Sequence, residues 1–299
     1  MSTPTRKKVV FITGASSGIG FSLAVEFAKQ PDKYKVYAGA RSLSKMDPLK
    51  DLGVNTVAFD ITSSESITKV RDLIKVENDG NLDILYNNAG VSIHSSIFDL
   101  SQDQLKRTFQ VNVFGVVETI QSFQLLLLKA QGTVVFTSSI ADHLPMPFLF
   151  AYTGSKIAFT NIAKTLAGEV KDLGVKVLVV RTGSVASEMT DNMNGDARPY
   201  PSKDSIYYLP DRNIYPSLED QKLTPALEYS KQVVKDVENF MAGSSFYKEI
   251  YRGEGATIAW FVSLWAPTSF IVGVLFPKIF KFGDVFSRVK ENIKRVLDL

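Results

Sequence analysis

The chain has 299 residues, 45% of them hydrophobic, and a formal charge of +3. That length suits one large α/β domain or two small ones, and so slight a positive charge gives no argument for nucleic acid as a partner. There is no cysteine and there are two histidines, His94 and His143, so disulfides and thiolate metal sites are excluded and no metal centre is expected. The opening MSTPTRKKVV lacks an apolar run long enough for a secretory signal.

From residue 8 the pattern alternates. KVVFIT (8–13) reads as a strand, and GFSLAVEFAKQ (20–30) places Leu23, Phe27 and Ala28 at helical spacing. KYKVYAGA (33–40) and NTVAFD (55–60) read as strands two and three, and SESITKVRDLIKV (64–76) as a helix with a serine start. LDILYNNAG (82–90) is a strand ending in a polar turn, and residues 101–130 read as one long helix. GTVVFTSS (132–139), a helix over 152–173 and VKVLVV (175–180) complete the alternation. Apolar strands separated by helices predict βαβ units, hence an α/β fold with a Rossmann-like doubly wound parallel sheet covered on both faces. The rhythm breaks at 187–225, rich in Pro, Asp, Asn and Tyr, a connection long enough to be functional. A helix over 225–241 and an edge strand KEIYRG (248–253) follow.

The turn between the first strand and first helix reads TGASSGIG. Gly14, Gly18 and Gly20, with Ser16, Ser17 and Ile19 between and beside them, would let a pyrophosphate approach bare backbone N–H groups at a helix N-terminus. Residues 14–18 also fit G-x-S-x-G, the nucleophile elbow of esterases. A triacylglycerol lipase or esterase acting through Ser16 would need an acid and either His94 or His143. After the second strand, Ala40 stands where a carboxylate would select NAD, and Arg41 follows; a guanidinium there can pair with a 2′-phosphate, which favours NADPH. Tyr152 and Lys156 in YTGSK lie at i and i+4 on one helical face, where an ammonium can lower a phenol's pKa toward acid–base use.

The T-G-x-x-x-G-I-G turn, NNAG and YTGSK, in that order over residues 8 to about 187, resemble the short-chain dehydrogenase/reductase family. The resemblance implies an NADPH/NADP+-dependent oxidoreductase with catalytic Asn112, Ser139, Tyr152 and Lys156. Tyr152 would donate the proton and Ser139 would polarise the carbonyl. Lys156 would also bond the nicotinamide ribose, and Asn112 would kink its helix and hold a relay water. It further implies Asp60 at the adenine, Asn88, Ala89 and Gly90 along the cofactor path, and Val185 and Ser187 at the carboxamide. Thr182 departs from the family's proline before Gly183, which predicts a looser turn.

The end of the chain supports a second expectation. Residues 255–277 carry no charged side chain, and Pro267 interrupts them; 256–277 could span a bilayer, bend into it or cap the fold. Over 278–297 a helical stripe of Phe282, Val285, Phe286, Val289, Ile293 and Val296 runs beside Lys281, Arg288, Lys290, Lys294 and Arg295, as suits a membrane surface. The chain is therefore read as a catalytic domain at 1–254, with 187–225 binding substrate, and a membrane-associating tail at 255–299. LYNNAG, VNVFG, TGSVAS, PALEYSKQVVKDV and YRGEGATIAWFV are similar to the family branch that reduces 1-acyldihydroxyacetone phosphate. That implies a lipid-like substrate, lysophosphatidic acid as product, and the endoplasmic reticulum membrane and lipid-droplet surface as location, with the catalytic domain in the cytosol. A hydroxysteroid or retinol reductase is the competing expectation, and a homodimer stays open. For the substrate phosphate the candidate cations are Arg198, Lys203 and Arg252.

Overall fold

The computed structural model describes residues 6–187, 201–211, 222–279 and 285–297. Its centre is β1 (Lys8–Thr13), whose side chains alternate between two cores: Val10 and Ile12 face one, Val9 and Phe11 the other. β2 (Tyr34–Ala40), β3 (Asn55–Ala58), β4 (Ile84–Asn87), β5 (Thr133–Ser139), β6 (Lys176–Thr182) and β7 (Tyr247–Arg252) join it in the order β3-β2-β1-β4-β5-β6-β7, every pair parallel. The doubly wound sheet expected from the sequence is therefore present, and its order reverses between β1 and β4, where such sheets form a crevice at their carboxyl ends.

Two helical layers bury the strand faces. On one side Leu23, Ala24 and Phe27 of α1 (Gly18–Ala28) meet Tyr229, Val233 and Val237 of α7 (Ala226–Ala242), and Leu49 of the short α2 (Asp47–Lys50) joins them. On the other, Ile67, Val70 and Ile74 of α3 (Ser64–Glu77) pack with residues of α5 (Gly115–Ala130) and α6 (Phe150–Val170). Ser63 caps α3 by accepting from Ser66 N at 3.2 Å. Ser101 and Gln104 form a reciprocal capping box at the start of α4 (Gln102–Phe109).

The long helix expected over 101–130 is interrupted. Between α4 and α5, residues 110–114 form a π-helical turn holding Asn112. The whole Gln102–Ala130 run is long and apolar enough to cross a membrane by composition, but half of its apolar window is buried in the fold, with Val116, Phe123, Leu126 and Leu127 in the sheet's second core.

The tail does two different things. Residues 256–279 break at Pro267 into α8 (Ala256–Trp265) and a second helix, Thr268–Ile279. At 10 and 12 residues, each is too short to span a bilayer. The final helix, Val285–Val296, corrects the expectation of an apolar stripe left entirely for lipid. Val285 and Val289 are buried with Phe148 and Leu209, and Ile293 packs beside them. Arg288 pairs with Asp211, and Asn292 Nδ2 donates to Tyr208 O at 2.7 Å. Hydropathy cannot separate a stripe facing lipid from one facing its own protein. Phe282 and Lys281 lie outside the described residues.

Candidate active site

The glycine turn opens over the carboxyl end of β1. Gly14 takes φ +70°, and a Cβ there would lie 2.7 Å from Ala89 Cα; one at Gly20 would lie 2.4 Å from Gly14 O. Bare backbone is thus required where the β1 and β4 turns meet. Thr13 and Asn88 stitch them together: Thr13 Oγ1 accepts from Asn88 N and Ala89 N, both at 3.1 Å, and Asn88 Nδ2 donates to Thr13 O at 3.1 Å and Gly14 O at 3.2 Å. Asn88, expected on the cofactor path, has its side-chain amide committed to holding this turn. Ser17 N-caps α1 without a side-chain capping bond, and no acidic residue stands in the helix's first turn. Ser16, Ser17, Gly18 and Ile19 are partly exposed along the cradle rim. A cradle of small residues under uncapped helical N–H groups fits a dinucleotide pyrophosphate.

Arg41 follows the last residue of β2 and is exposed. Across from it, Asp60 Oδ1 accepts from Thr62 N at 2.9 Å and Thr62 Oγ1 at 2.7 Å. Partial burial pushes the Asp60 carboxyl up, but these two bonds and the Arg41 charge together hold it below the usual range.

The reaction centre lies at the carboxyl ends of β4 and β5. Ser139 closes β5, and its Oγ accepts from Ala141 N at 3.1 Å. Tyr152 and Lys156 occupy the first two turns of α6, one above the other, with Lys156 Nζ 5.8 Å from the Tyr152 ring centroid. Lys156 is buried and donates to Thr137 O at 2.8 Å. A Cβ at Gly90 would stand 3.4 Å from Asn112 Oδ1 and 3.7 Å from Lys156 Nζ. Asn112 itself receives Val91 N at 2.8 Å and donates to Val91 O at 2.8 Å and to Ser155 Oγ at 2.9 Å. Its side chain clamps the loop after β4 to α6. All four expected catalytic residues are gathered here.

Burial lowers the Lys156 ammonium to about 8, against the opposing pull of Asp142. Tyr152 moves upward: burial raises the phenol, the neighbouring Ser139 hydroxyl pulls it back, and the Asp142 charge raises it again. The Lys156 ammonium is aimed at the Thr137 carbonyl.

Beyond β6 the turn is pinned rather than loose. Thr182 Oγ1 and Tyr229 OH are 2.6 Å apart, Gly183 N donates to Arg252 O at 2.8 Å, and Ser184 N to Glu254 O at 2.9 Å. A side-chain bond stands in for the missing proline ring. Val185 is buried and bridges Thr224; Ser187 is partly exposed at the end of this described stretch.

Of the candidate phosphate contacts, Arg198 lies outside the described residues and Lys203 is exposed. Arg252 is held elsewhere, its Nε and Nη2 bonding Asp236 of α7 at 2.7 and 2.9 Å. Its acidic neighbours in the chain are engaged elsewhere, Glu249 with Arg181 and Glu254 with Lys222. His143, a candidate partner for an esterase serine, follows β5, two strands across from the Ser16 turn, and stacks on Tyr251 with centroids 6.3 Å apart. Burial pushes the His94 imidazole down to about 4.

Four supporting residues escaped the sequence: Thr13, Thr137, Asp142 and Arg181. For Thr13, Thr137 and Arg181 the signal was a polar or charged side chain within an otherwise apolar strand, such as Arg181 in VLVVRTG; Asp142, just past β5, carried none.

The glycine cradle, the sheet order and the Ser139–Tyr152–Lys156 cluster together define an oxidoreductase fold and site, and the chain belongs to the short chain dehydrogenase family, whose model matches residues 8–198. Among its relatives is the NADPH-dependent 1-acyldihydroxyacetone phosphate reductase of Saccharomyces cerevisiae, 35% identical over 298 residues and 96% of each chain. The protein of that name from Schizosaccharomyces pombe is 32% identical over 209 residues and 70% of each chain. Among solved structures, a short-chain dehydrogenase from Streptomyces avermitilis matches with a TM-score of 0.70 at 21% identity, over 95% of this chain and 98% of its own. One from Burkholderia cenocepacia, in complex with NADP, matches at 0.67 and 20% identity, over 90% and 98%.

Proposed function

We propose that this protein uses NADPH to reduce the ketone of 1-acyldihydroxyacetone phosphate, forming 1-acylglycerol 3-phosphate. The observation that carries the reading is the extent of the similarity to the yeast reductase. It runs along 96% of both chains and so extends beyond the residues 8–198 that the family model matches.

The bound cofactor supplies hydride to the carbonyl carbon. The chain's own residues do the rest. The Gly14–Gly20 turn and the α1 N-terminus hold the pyrophosphate. Arg41 takes the 2′-phosphate, Asp60 the adenine side, and Val185 and Ser187 the carboxamide. Ala89 and Gly90 line the path between. Ser139 orients the carbonyl oxygen, and Tyr152, kept protonated by burial, gives its proton to the oxygen as charge develops there. Lys156 binds the ribose side, with Asn112 holding the loop beside it. The test is NADPH oxidation by the full-length protein with acyl-dihydroxyacetone phosphate, free dihydroxyacetone phosphate, a steroid ketone and retinal; a preference for either of the last two overturns the substrate.

Arg41→Asp is expected to lower the ratio of kcat/KM for NADPH over NADH by roughly a hundredfold, equivalent to about 3 kcal/mol, since it exchanges a phosphate-binding cation for an anion that accepts from a ribose hydroxyl. An unchanged ratio places Arg41 in solvent.

An acylated substrate partitions into lipid, and we place the enzyme at a membrane or lipid-droplet surface. Support comes from α8, where Ile258, Phe261, Leu264 and Trp265 are all more than half exposed, and from the helix after it, where Ile279 is. Their opposite faces, including Ala256, Ala259, Ile271 and Phe276, are buried, so removing the tail would open the fold. Surface substitution is the cleaner test. The triple change Phe261→Ser, Leu264→Ser and Trp265→Ser should reduce cosedimentation with phospholipid vesicles at least tenfold, because each side chain contributes about 1.5–3 kcal/mol on burial. Binding that survives with an unaltered circular dichroism spectrum contradicts the placement.

A further inference from the structure

Behind the reaction centre lies a buried charge cluster that none of the roles above uses. The Asp142 side chain is 1% exposed and that of Arg181 2%. One carboxylate oxygen, Asp142 Oδ2, accepts from Ser138 Oγ at 3.0 Å, from Thr160 Oγ1 at 2.5 Å and from Arg181 Nη1. These donors come from β5, α6 and β6. Ser138 immediately precedes Ser139, and Thr160 is one turn beyond Lys156 on the helix that also carries Tyr152. A single carboxylate therefore ties together the elements that carry the reacting groups.

Arg181 is shared with Glu249 through Nε at 2.8 Å. Lys164 approaches Glu249 from the surface at 3.5 Å, and Tyr247 donates to it. Asp142 Oδ1 is buried without a hydrogen-bond partner, and His143 Nε2 lies 3.9 Å away. Tyr251 lies alongside Arg181, its ring centroid 6.0 Å from the guanidinium carbon. On the other side stand Tyr152 and Lys156, and both respond to the Asp142 charge. A charge in so dry a setting acts more strongly than one in water.

We propose that Asp142 is a positioning residue of the reaction centre: its carboxylate, shared by Ser138, Thr160 and Arg181, holds β5, α6 and β6 in register and so keeps Ser139, Tyr152 and Lys156 in their mutual placement. Its charge also favours reduction, because it raises the pKa of the phenol that must be protonated to donate. Neutralising it favours phenolate. The alkaline limb of reduction then moves to lower pH, as does the acid limb of the reverse oxidation.

The proposal rests on Tyr152 as the proton donor, and the test separates the two. The full-length protein is labelled at tyrosine Cζ with carbon-13, bound to NADP+, and titrated through the alkaline range by NMR, with the Tyr152 resonance identified by its loss in Tyr152→Phe. The titration needs no ketone, so a wrong substrate leaves it readable, and an active Tyr152→Phe would end the donor reading without touching it. Asp142→Asn should lower the Tyr152 midpoint by roughly one pH unit. Thr160→Val removes one bond to the same carboxylate and keeps the charge; it should leave the midpoint in place while lowering kcat severalfold. Thr160→Val also decides the matter if Asp142→Asn does not fold, because it loosens the tie without removing the charge. An unmoved midpoint in Asp142→Asn, an equal shift in Thr160→Val, or a wild-type kcat in Thr160→Val overturns the proposal.

Discussion

Tyr152→Phe is expected to lower ketone reduction by roughly 10²–10⁴-fold or more while leaving the dissociation constant for NADPH within about threefold of wild type. The change deletes one oxygen. The phenol is partly buried at the start of α6 with Ser139 beside it, and its pKa is raised first by burial, so at neutral pH it holds the proton that the reaction consumes. Phenylalanine keeps the ring, and the pyrophosphate cradle is built from a different part of the sheet, between β1 and β4. Cofactor binding should therefore be separable from chemistry. Fluorescence titration with NADPH alongside steady-state kinetics measures both; wild-type turnover in the variant would remove Tyr152 from the mechanism.

Lys156→Ala should damage both quantities, with turnover down roughly 10²–10³-fold and KM for NADPH up about tenfold. The buried ammonium donates to Thr137 O and lies close to Gly90 and Asn112, so its loss leaves a buried carbonyl unpaired as well as removing the proposed ribose contact. Burial lowers its pKa to about 8, so it is mostly charged below that pH and loses its charge above it. A variant with normal NADPH affinity and reduced turnover would confine Lys156 to the proton side of the reaction.

Much of this was legible in the sequence because it is local. The apolar strands and the helices between them forecast a parallel sheet, and β1 shows why: its alternate residues feed two cores that helices must cover. Tyr152 and Lys156 share a helical face by spacing alone. The glycine turn reads correctly because Gly14 and Gly20 stand where a Cβ would strike backbone.

What escaped depends on tertiary contact. Asp142, Arg181 and Glu249 are 39 and 68 residues apart, and only the pairing of β6 with β5 and β7 brings them together. Arg252 follows the same logic from the other face of β7, where α7 offers Asp236. Thr182 looked like a weakened turn because its compensation, Tyr229, lies on a helix not yet reached in the chain. The last helix carries the amphipathic pattern of a lipid-facing segment and spends part of it on Phe148 and Leu209.

The central claim is that this chain moves hydride from NADPH to the ketone carbon of an acylated dihydroxyacetone phosphate. The most direct measurement is mass spectrometry of the product formed from acyl-dihydroxyacetone phosphate and NADPH carrying deuterium at the transferable position. The account predicts 1-acylglycerol 3-phosphate one mass unit heavier than with ordinary NADPH, formed by the wild type and not by Tyr152→Phe. Release of free fatty acid and dihydroxyacetone phosphate without deuterium incorporation or NADPH consumption would contradict it and return attention to Ser16.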